Sequence, residues 1–322
     1  MEGYIILIIG GTGSLGHKLV DRYLDKNIIY VYSRDESKHW KMSIDYSKHP
    51  NLRFIIGDIR DSNKIQQTLL RVQPNIIILA AALKHIDRCE YETNECILTN
   101  IVGTQNVLNV VETFKDMLKV KTVCFISTDK ACSPVNIYGM AKAVSECLMI
   151  EKAKEIPSIK FVTVRYGNVL NSRGSIIPTL HEIGQSDNYD KYTITDNRMT
   201  RFVMTLDQSV DLIEHAITKA ESGDIVIPKL ISCKIIDLIE IFSEKYNKPI
   251  FEDKLRAGEK MLESLINETQ SMRLCFGEDG YMYIKPAYKN MMTHTDIKDY
   301  NSKLNPLNKA ELKDYLQNLS LI

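Results

Sequence analysis

The chain has 322 residues, 44% hydrophobic and 25% charged, the balance of an ordinary globular protein long enough for about two domains of roughly 100–200 residues. Its 41 lysines and arginines offset 41 aspartates and glutamates, a neutrality that speaks against nucleic-acid binding or membrane attachment through bulk electrostatics. Seven scattered cysteines with no C-x-x-C pair argue against a disulfide frame or a zinc site and read as small buried hydrophobes of a reducing compartment. The longest apolar run, 76–83, is too short for a membrane span, and no signal-type segment opens the chain. A cytoplasmic protein is expected.

The first half alternates short apolar runs with helical spacing. A strand at 4–9 runs into Gly10-Gly11-Thr12-Gly13-Ser14-Leu15-Gly16, followed by Leu19, Val20, Tyr23 and Leu24 on one helical face. Glycines at 10, 13 and 16 permit a tight turn, close approach of backbone to a pyrophosphate and close packing of helix on strand, with the helix N-terminus facing the phosphates. The glycine triplet alone is weak; between a first strand and a helix it points to a dinucleotide site. The second strand, 28–32, ends in Tyr32-Ser33-Arg34-Asp35-Glu36-Ser37-Lys38. Ser33, Arg34 and Lys38 suit a ribose 2′-phosphate and favour NADP, while Asp35 keeps NAD open. After strand 52–56, Asp58 and Ile59 are placed to meet the adenine. After strand 75–79, Ala80, Ala81 and Ala82 keep the floor small where the cofactor passes.

A helix carrying Val107, Val111, Phe114 and Leu118 on one face leads to strand 122–127, then Thr128-Asp129-Lys130 and, eight residues on, Tyr138-Gly139-Met140-Ala141-Lys142. Tyr138 and Lys142 stand i, i+4 on one helix face. An adjacent ammonium favours the phenolate, which makes Tyr138 a plausible base for a sugar or alcohol hydroxyl. The sixth strand is expected at 161–166. Apolar strands without alternation imply a sheet covered on both faces, and the βαβ order implies a Rossmann-type doubly wound parallel sheet. Past about 168 the rhythm loosens into a polar stretch at 184–200, a helix at 206–220, a strand at 224–228 and a mainly helical tail with few strands. A smaller mixed α/β C-terminal substrate-binding lobe is expected. The first lobe takes 1–168 with a returning segment near 203–228, and the second takes 169–202 and 229–322. No cluster has metal-ligand spacing.

The ordered series GGTGSLG, YSRDE, GDIRD, AALKHI, EYETNEC, TNIVGTQN, STDKA, YGMAK, RYGNVLNSRGS, ITDNRMTRF, VIPK and RAGEKM resembles the extended short-chain dehydrogenase/reductase family along nearly the whole chain. Within it, the chain looks like the inverting UDP-N-acetylglucosamine 4,6-dehydratases. The retaining relatives carry Thr-Asp-Glu where this chain has Thr128-Asp129-Lys130. The resemblance implies NADP, a UDP-sugar substrate, an internal redox cycle and a homo-oligomer, from dimer to hexamer. Tyr138 would take the C4 hydroxyl proton, Lys142 would tune it and hold the nicotinamide ribose, and Thr128 would hold the C4 oxygen. Lys130, kept neutral by desolvation and neighbouring positive charge, would remove the C5 proton, and Asp129 would help the C6 hydroxyl leave. The resemblance also implies Lys84 near cofactor and sugar, Asn168 against the substrate, and Val169 to Arg173 on the nicotinamide side. Thr195 and Arg256 would meet the nucleotide, Glu259 the ribose, and Tyr300 would close over the substrate. An NADP-dependent 4-epimerase or reductase of the same fold would need Tyr138 and Lys142 but not Lys130, and a non-catalytic NADP-binding scaffold would need neither set.

Overall fold

The computed structural model describes every residue except 278, 279 and 294. Six parallel strands, β1 (Ile5–Ile9), β2 (Ile28–Ser33), β3 (Leu52–Ile56), β4 (Ile76–Leu79), β5 (Thr122–Ile126) and β6 (Lys160–Val164), run in the spatial order β6-β5-β4-β1-β2-β3. All six expected strands are present, none displaced by more than two residues at an end. Their side chains divide between two cores. Ile6, Ile8 and Val31 face the helices Ser14–Tyr23 and Leu206–Lys219, whereas Leu7, Ile9 and Phe125 face Ser62–Val72, Gly103–Thr113 and Ile137–Glu155. Burial on both faces is why these strands read as continuous apolar runs. Strand order reverses between β1 and β4, which opens a crevice at the carboxyl ends of the central strands, where open α/β sheets bind ligands.

The second half adds β7 (Asn168–Val169), β8 (Tyr192–Ile194), β9 (Thr200–Met204), β10 (Ile225–Ile227), β11 (Ile231–Lys234), β12 (Ile250–Glu252), β13 (Ser264–Ile266), β14 (Leu274–Phe276), β15 (Met282–Ile284), β16 (Tyr300–Asn301) and β17 (Pro306–Leu307). A four-stranded mixed sheet, β17-β11-β9-β7, packs with the helices Ile176–Gln185, Ile235–Tyr246 and Lys309–Asn318 around Ile177, Tyr192, Phe242 and Leu312. The tail is therefore richer in strand than its pattern suggests. These strands have two to five residues, too few for a period to register. The helix carrying Val107 and Val111 ends at Thr113, so Phe114 and Leu118 reach the same core from the turn beyond it.

The returning segment contributes β10, parallel to β6, and the helix Leu206–Lys219 to the first lobe. Strand pairing extends that return: β15 and β14 join antiparallel beyond β10, so a piece of the tail completes a nine-stranded sheet. Only Arg165, Tyr166 and Gly167 separate β6 from β7, and this short passage holds the second lobe directly over the carboxyl ends of β5 and β6. No helix among the described residues is long and apolar enough to cross a membrane.

Candidate active site

At the end of β1, Gly10 has φ +90 and donates its N–H to Tyr32 O at 2.8 Å. A Cβ there would lie 2.5 Å from Ala81 N, and one on Gly16 would lie 1.9 Å from Gly11 O. The turn and the Ala80–Ala81–Ala82 floor are thus in backbone contact. The helix Ser14–Tyr23 starts from Gly13 with no side-chain cap among the described residues and no acidic residue in its first turn. Its free N–H groups and positive dipole end fit the pyrophosphate of a dinucleotide. Leu15 packs beside the core behind them. Above the loop, Arg173 donates its backbone N–H to Ser14 Oγ (2.9 Å) and its guanidinium to Thr12 O (2.6 Å), while Lys84 donates to Arg173 O (2.7 Å). Burial, then the Arg173 charge, hold Lys84 below the ordinary lysine value.

At the end of β2, Thr12 donates to Ser33 (3.3 Å), and Ser33 meets His39 Nε2 at 2.8 Å. Asp35 caps the helix Glu36–Asp45, accepting from Lys38 N at 3.0 Å and pairing with Lys38 Nζ at 2.9 Å. Its carboxylate is committed to that helix start. Arg34 approaches Asp58 at 3.5 Å, which Arg60 holds more closely at 2.7 Å. Ile59 is buried against Gly103.

The catalytic candidates converge at the end of β5. Asp129 N donates to Tyr166 O at 2.9 Å, tying the Thr128-Asp129-Lys130 turn to the passage out of β6. Asp129 is fully buried. Its Oδ1 accepts from Thr128 Oγ1 and from Lys130 Nζ, each at 3.0 Å, and its Oδ2 is buried with no partner among the described residues. Lys130 Nζ also donates to Asn168 Oδ1 at 3.3 Å and lies 3.6 Å from Glu263 Oε1. Burial alone would lower the Lys130 pKa, but Asp129 and Glu263 outweigh burial and Arg201 and raise it. The expected desolvation and positive neighbour, Arg201, do favour a neutral Lys130, but the two carboxylates around it reverse that bias.

Tyr138 and Lys142 share a face of the helix Ile137–Glu155, which Asn136 caps by accepting from Gly139 N at 2.8 Å while donating to Gly258 O at 2.8 Å. Lys142 Nζ donates to Ile126 O at 2.6 Å and lies 4.3 Å from the Phe125 ring centre. Burial lowers its pKa to about 8, against the Glu146 charge. Burial pushes the Tyr138 phenol up to about 12; the nearby Lys130 ammonium pulls it back, against the Asp129 charge. Tuning of the phenol thus involves the amine from the strand end, where the i, i+4 spacing pointed to Lys142. A Cβ on Gly139 would lie 2.2 Å from Lys130 O, so the helix and the turn meet backbone to backbone.

The structure thus brings Thr128, Asp129, Lys130, Asn168 and Tyr138 together, with Lys142 behind them. Val169 follows Asn168 in β7, paired with Met204. The remaining candidates are not drawn into this cluster by any contact among the described residues. Thr195 donates to Met199 Sδ at 3.5 Å; Glu259 accepts from Arg256 N at 3.1 Å, with the Arg256 side chain exposed. Tyr300 Oη both accepts from Leu230 N (2.8 Å) and donates to Leu230 O (3.1 Å), its ring 5.1 Å from Phe202. Sequence reasoning missed Glu263, and it missed the pair Glu146–Arg165. Arg165 is fully buried, donates to both Glu146 oxygens (3.0 and 2.5 Å), and reaches Leu265 O and Gln270 Oε1, each at 2.8 Å. A lone arginine at the end of an apolar strand was the available signal, since a buried charge requires a partner.

The family model for "Polysaccharide biosynthesis protein" matches residues 6–284. An inverting UDP-N-acetylglucosamine 4,6-dehydratase of Campylobacter jejuni is 37% identical, covering 95% of this chain and 94% of its own. A UDP-glucose 4-epimerase of Rickettsia rickettsii is 35% identical over 98% and 96%. The X-ray structure of Pen from Bacillus thuringiensis superposes with a TM-score of 0.91 at 33% identity, covering 100% of this chain and 99% of that one. A dTDP-glucose 4,6-dehydratase from Streptomyces venezuelae, solved with NAD bound, shares the fold at 19% identity, with a TM-score of 0.68 over 80% and 86%. By sequence and by fold, the chain belongs to the polysaccharide biosynthesis protein family of the extended short-chain dehydrogenase/reductases, among nucleotide-sugar dehydratases and epimerases.

Proposed function

We propose that the protein dehydrates UDP-N-acetylglucosamine across C4, C5 and C6 with inversion at C5, giving UDP-2-acetamido-2,6-dideoxy-β-L-arabino-hexos-4-ulose, and that it holds NADP. The observation that carries this reading is Lys130 Nζ beside Asp129 and Asn168, in the place where the retaining relatives resembled by this chain carry a glutamate. The Campylobacter jejuni relative named for that activity supports it. NADP is favoured over NAD because Asp35 is engaged by Lys38, while the Arg34 guanidinium, exposed and 3.5 Å from Asp58, and the Ser33 hydroxyl, shared with Thr12 and His39, stand at the end of β2 where a 2′-phosphate would bind.

The glycine turn and the uncapped helix Ser14–Tyr23 hold the pyrophosphate, with Arg173 and Lys84 over it. A bound nicotinamide supplies reversible hydride storage, so oxidation at C4 and reduction at C6 cancel. Tyr138 accepts the C4 hydroxyl proton, Thr128 orients that oxygen, and Lys142 steadies the ribose side. The resulting 4-ketone acidifies the C5 hydrogen, which Lys130 removes as a proton. Asp129, protonated for this step, gives that proton to the departing C6 oxygen, so the C6–O bond breaks and water leaves. A proton then returns to C5 on the opposite face.

Incubation of the protein with UDP-N-acetylglucosamine and NADP should yield a product lighter by one water in mass spectrometry, with deuterium at C5 when the reaction runs in heavy water. Substrate recovered at unchanged mass defeats this reading. The second reading is a nucleotide-sugar 4-epimerase. It is favoured by the Rickettsia relative and by the carboxylates that hold Lys130 charged, and it predicts a product of unchanged mass inverted at C4.

A further inference from the structure

Lys130 is flanked by more charge than an elimination base needs for anchoring. Asp129 meets it from its own turn at 3.0 Å, and Glu263, just before β13, meets it at 3.6 Å. Behind Glu263, Lys260 Nζ lies 3.5 Å from Oε2 and donates to Cys132 O at 2.8 Å. The four groups alternate in sign: Asp129, Lys130, Glu263, Lys260. The other charged or titratable groups facing Lys130 are Arg201 from β9 and Tyr138 from the helix. Glu263 is only 2% exposed. Among the described residues its side chain pairs with these two ammonium groups, and Oε2 has no hydrogen-bond partner. A buried carboxylate normally gathers hydrogen bonds that offset its desolvation. This one is left facing two cations.

We infer that Glu263 is a positioning residue that sets the protonation of Lys130, with Lys260 as the counterweight that keeps its hold reversible. The inference rests on the dehydratase reading. Lys130 must be neutral to take the C5 proton and charged afterwards. A carboxylate shared with a second ammonium stabilises the charged amine without fixing it as an exclusive ion pair would. Removing the Glu263 charge favours neutral Lys130; removing Lys260 leaves Glu263 wholly to Lys130 and also removes a like charge, which favours the ammonium.

The test measures Lys130 directly. Cyanate carbamylates neutral amines, and peptide mass spectrometry reads the rate at Lys130 against exposed lysines at one fixed, mildly alkaline pH. With Glu263→Gln, a pKa drop of about one unit makes that rate about tenfold faster. Glu263→Asp falls between Gln and the parent, and Lys260→Met moves the rate the opposite way. The acidic limb of the kcat profile for water elimination should shift to lower pH in Glu263→Gln and to higher pH in Lys260→Met. A purely structural role moves both variants in one direction, through loosening, and leaves the limb in place. If Glu263→Gln unfolds, Lys260→Met, on the more exposed side, still decides. An unmoved carbamylation rate in the folded variants overturns the inference. Opposite shifts without any water elimination in the parent uphold the electrostatics and overturn only the dehydratase reading.

Discussion

Two lysines near Tyr138, Lys142 four residues after it and the largely buried Lys130 eight residues before it, meet opposite fates. Lys142 faces a carbonyl and an aromatic ring, and burial draws its pKa to about 8. Lys130 faces Asp129 and Glu263, and its pKa rises although burial opposes it. Burial is common to both, so the sign is decided by neighbours: uncharged acceptors solvate an ammonium without matching its charge, and carboxylates match it. The site therefore holds one amine, Lys142, that burial makes readily neutralised, and a second, Lys130, that its carboxylates bias towards the charged form.

The largest effect that sharpens this contrast is Lys130→Ala. It should lower water elimination on the order of 10²–10⁴-fold, measured by mass spectrometry, while cofactor binding followed by fluorescence is retained. Preserved elimination would mean that the charged side of the pair does no chemistry. Next comes the ion pair beneath both lysines. Arg165→Met leaves Glu146 buried without its partner and should cost about 3–5 kcal/mol of stability in denaturant unfolding, because Arg165 also reaches Leu265 and Gln270 in the segment carrying β13. The smallest effect is on pH dependence. Lys142 titrates near 8 when folded and near the ordinary 10.5 when unfolded, so the unfolded chain binds the extra proton and stability rises with pH across that window, by at most about 3 kcal/mol. Thermal melts of Lys142→Met should show that rise flattened. Lys130 has the reverse sign: its contribution is complete below the ordinary lysine value and fades only as pH climbs through its raised one.

What the chain discloses before folding follows the length of its elements. The strands of the first lobe are four to six mostly apolar residues, buried on both faces in β1, β4, β5 and β6 and partly exposed in the edge strand β3, so the pattern names them, and the turns after them carry Gly10, Asp58, Ala81 and Thr128 in readable order. The strands after β9 have two to four residues and owe their pairing to distant partners, as when β14 and β15 attach beyond β10. The site divides the same way. Tyr138, Lys142, Asp129 and Lys130 are local spacings. Glu263 and the Glu146–Arg165 pair are not, because their partners lie across folds of the chain: Arg165 meets Gln270 over 105 residues. Tyr300 shows the converse, a residue suggested by resemblance whose hydroxyl is used by the Leu230 backbone.

Gly139 has a consequence for how such a centre can diversify. With only hydrogen on its α-carbon facing Lys130 O, the approach of the helix carrying Tyr138 to the turn carrying Lys130 is set by main chain. Second-lobe residues that, unlike Glu263, do not touch Lys130 can then be exchanged to suit a different sugar without altering that approach, whereas a single methyl at 139 would pry helix and turn apart whatever the sugar.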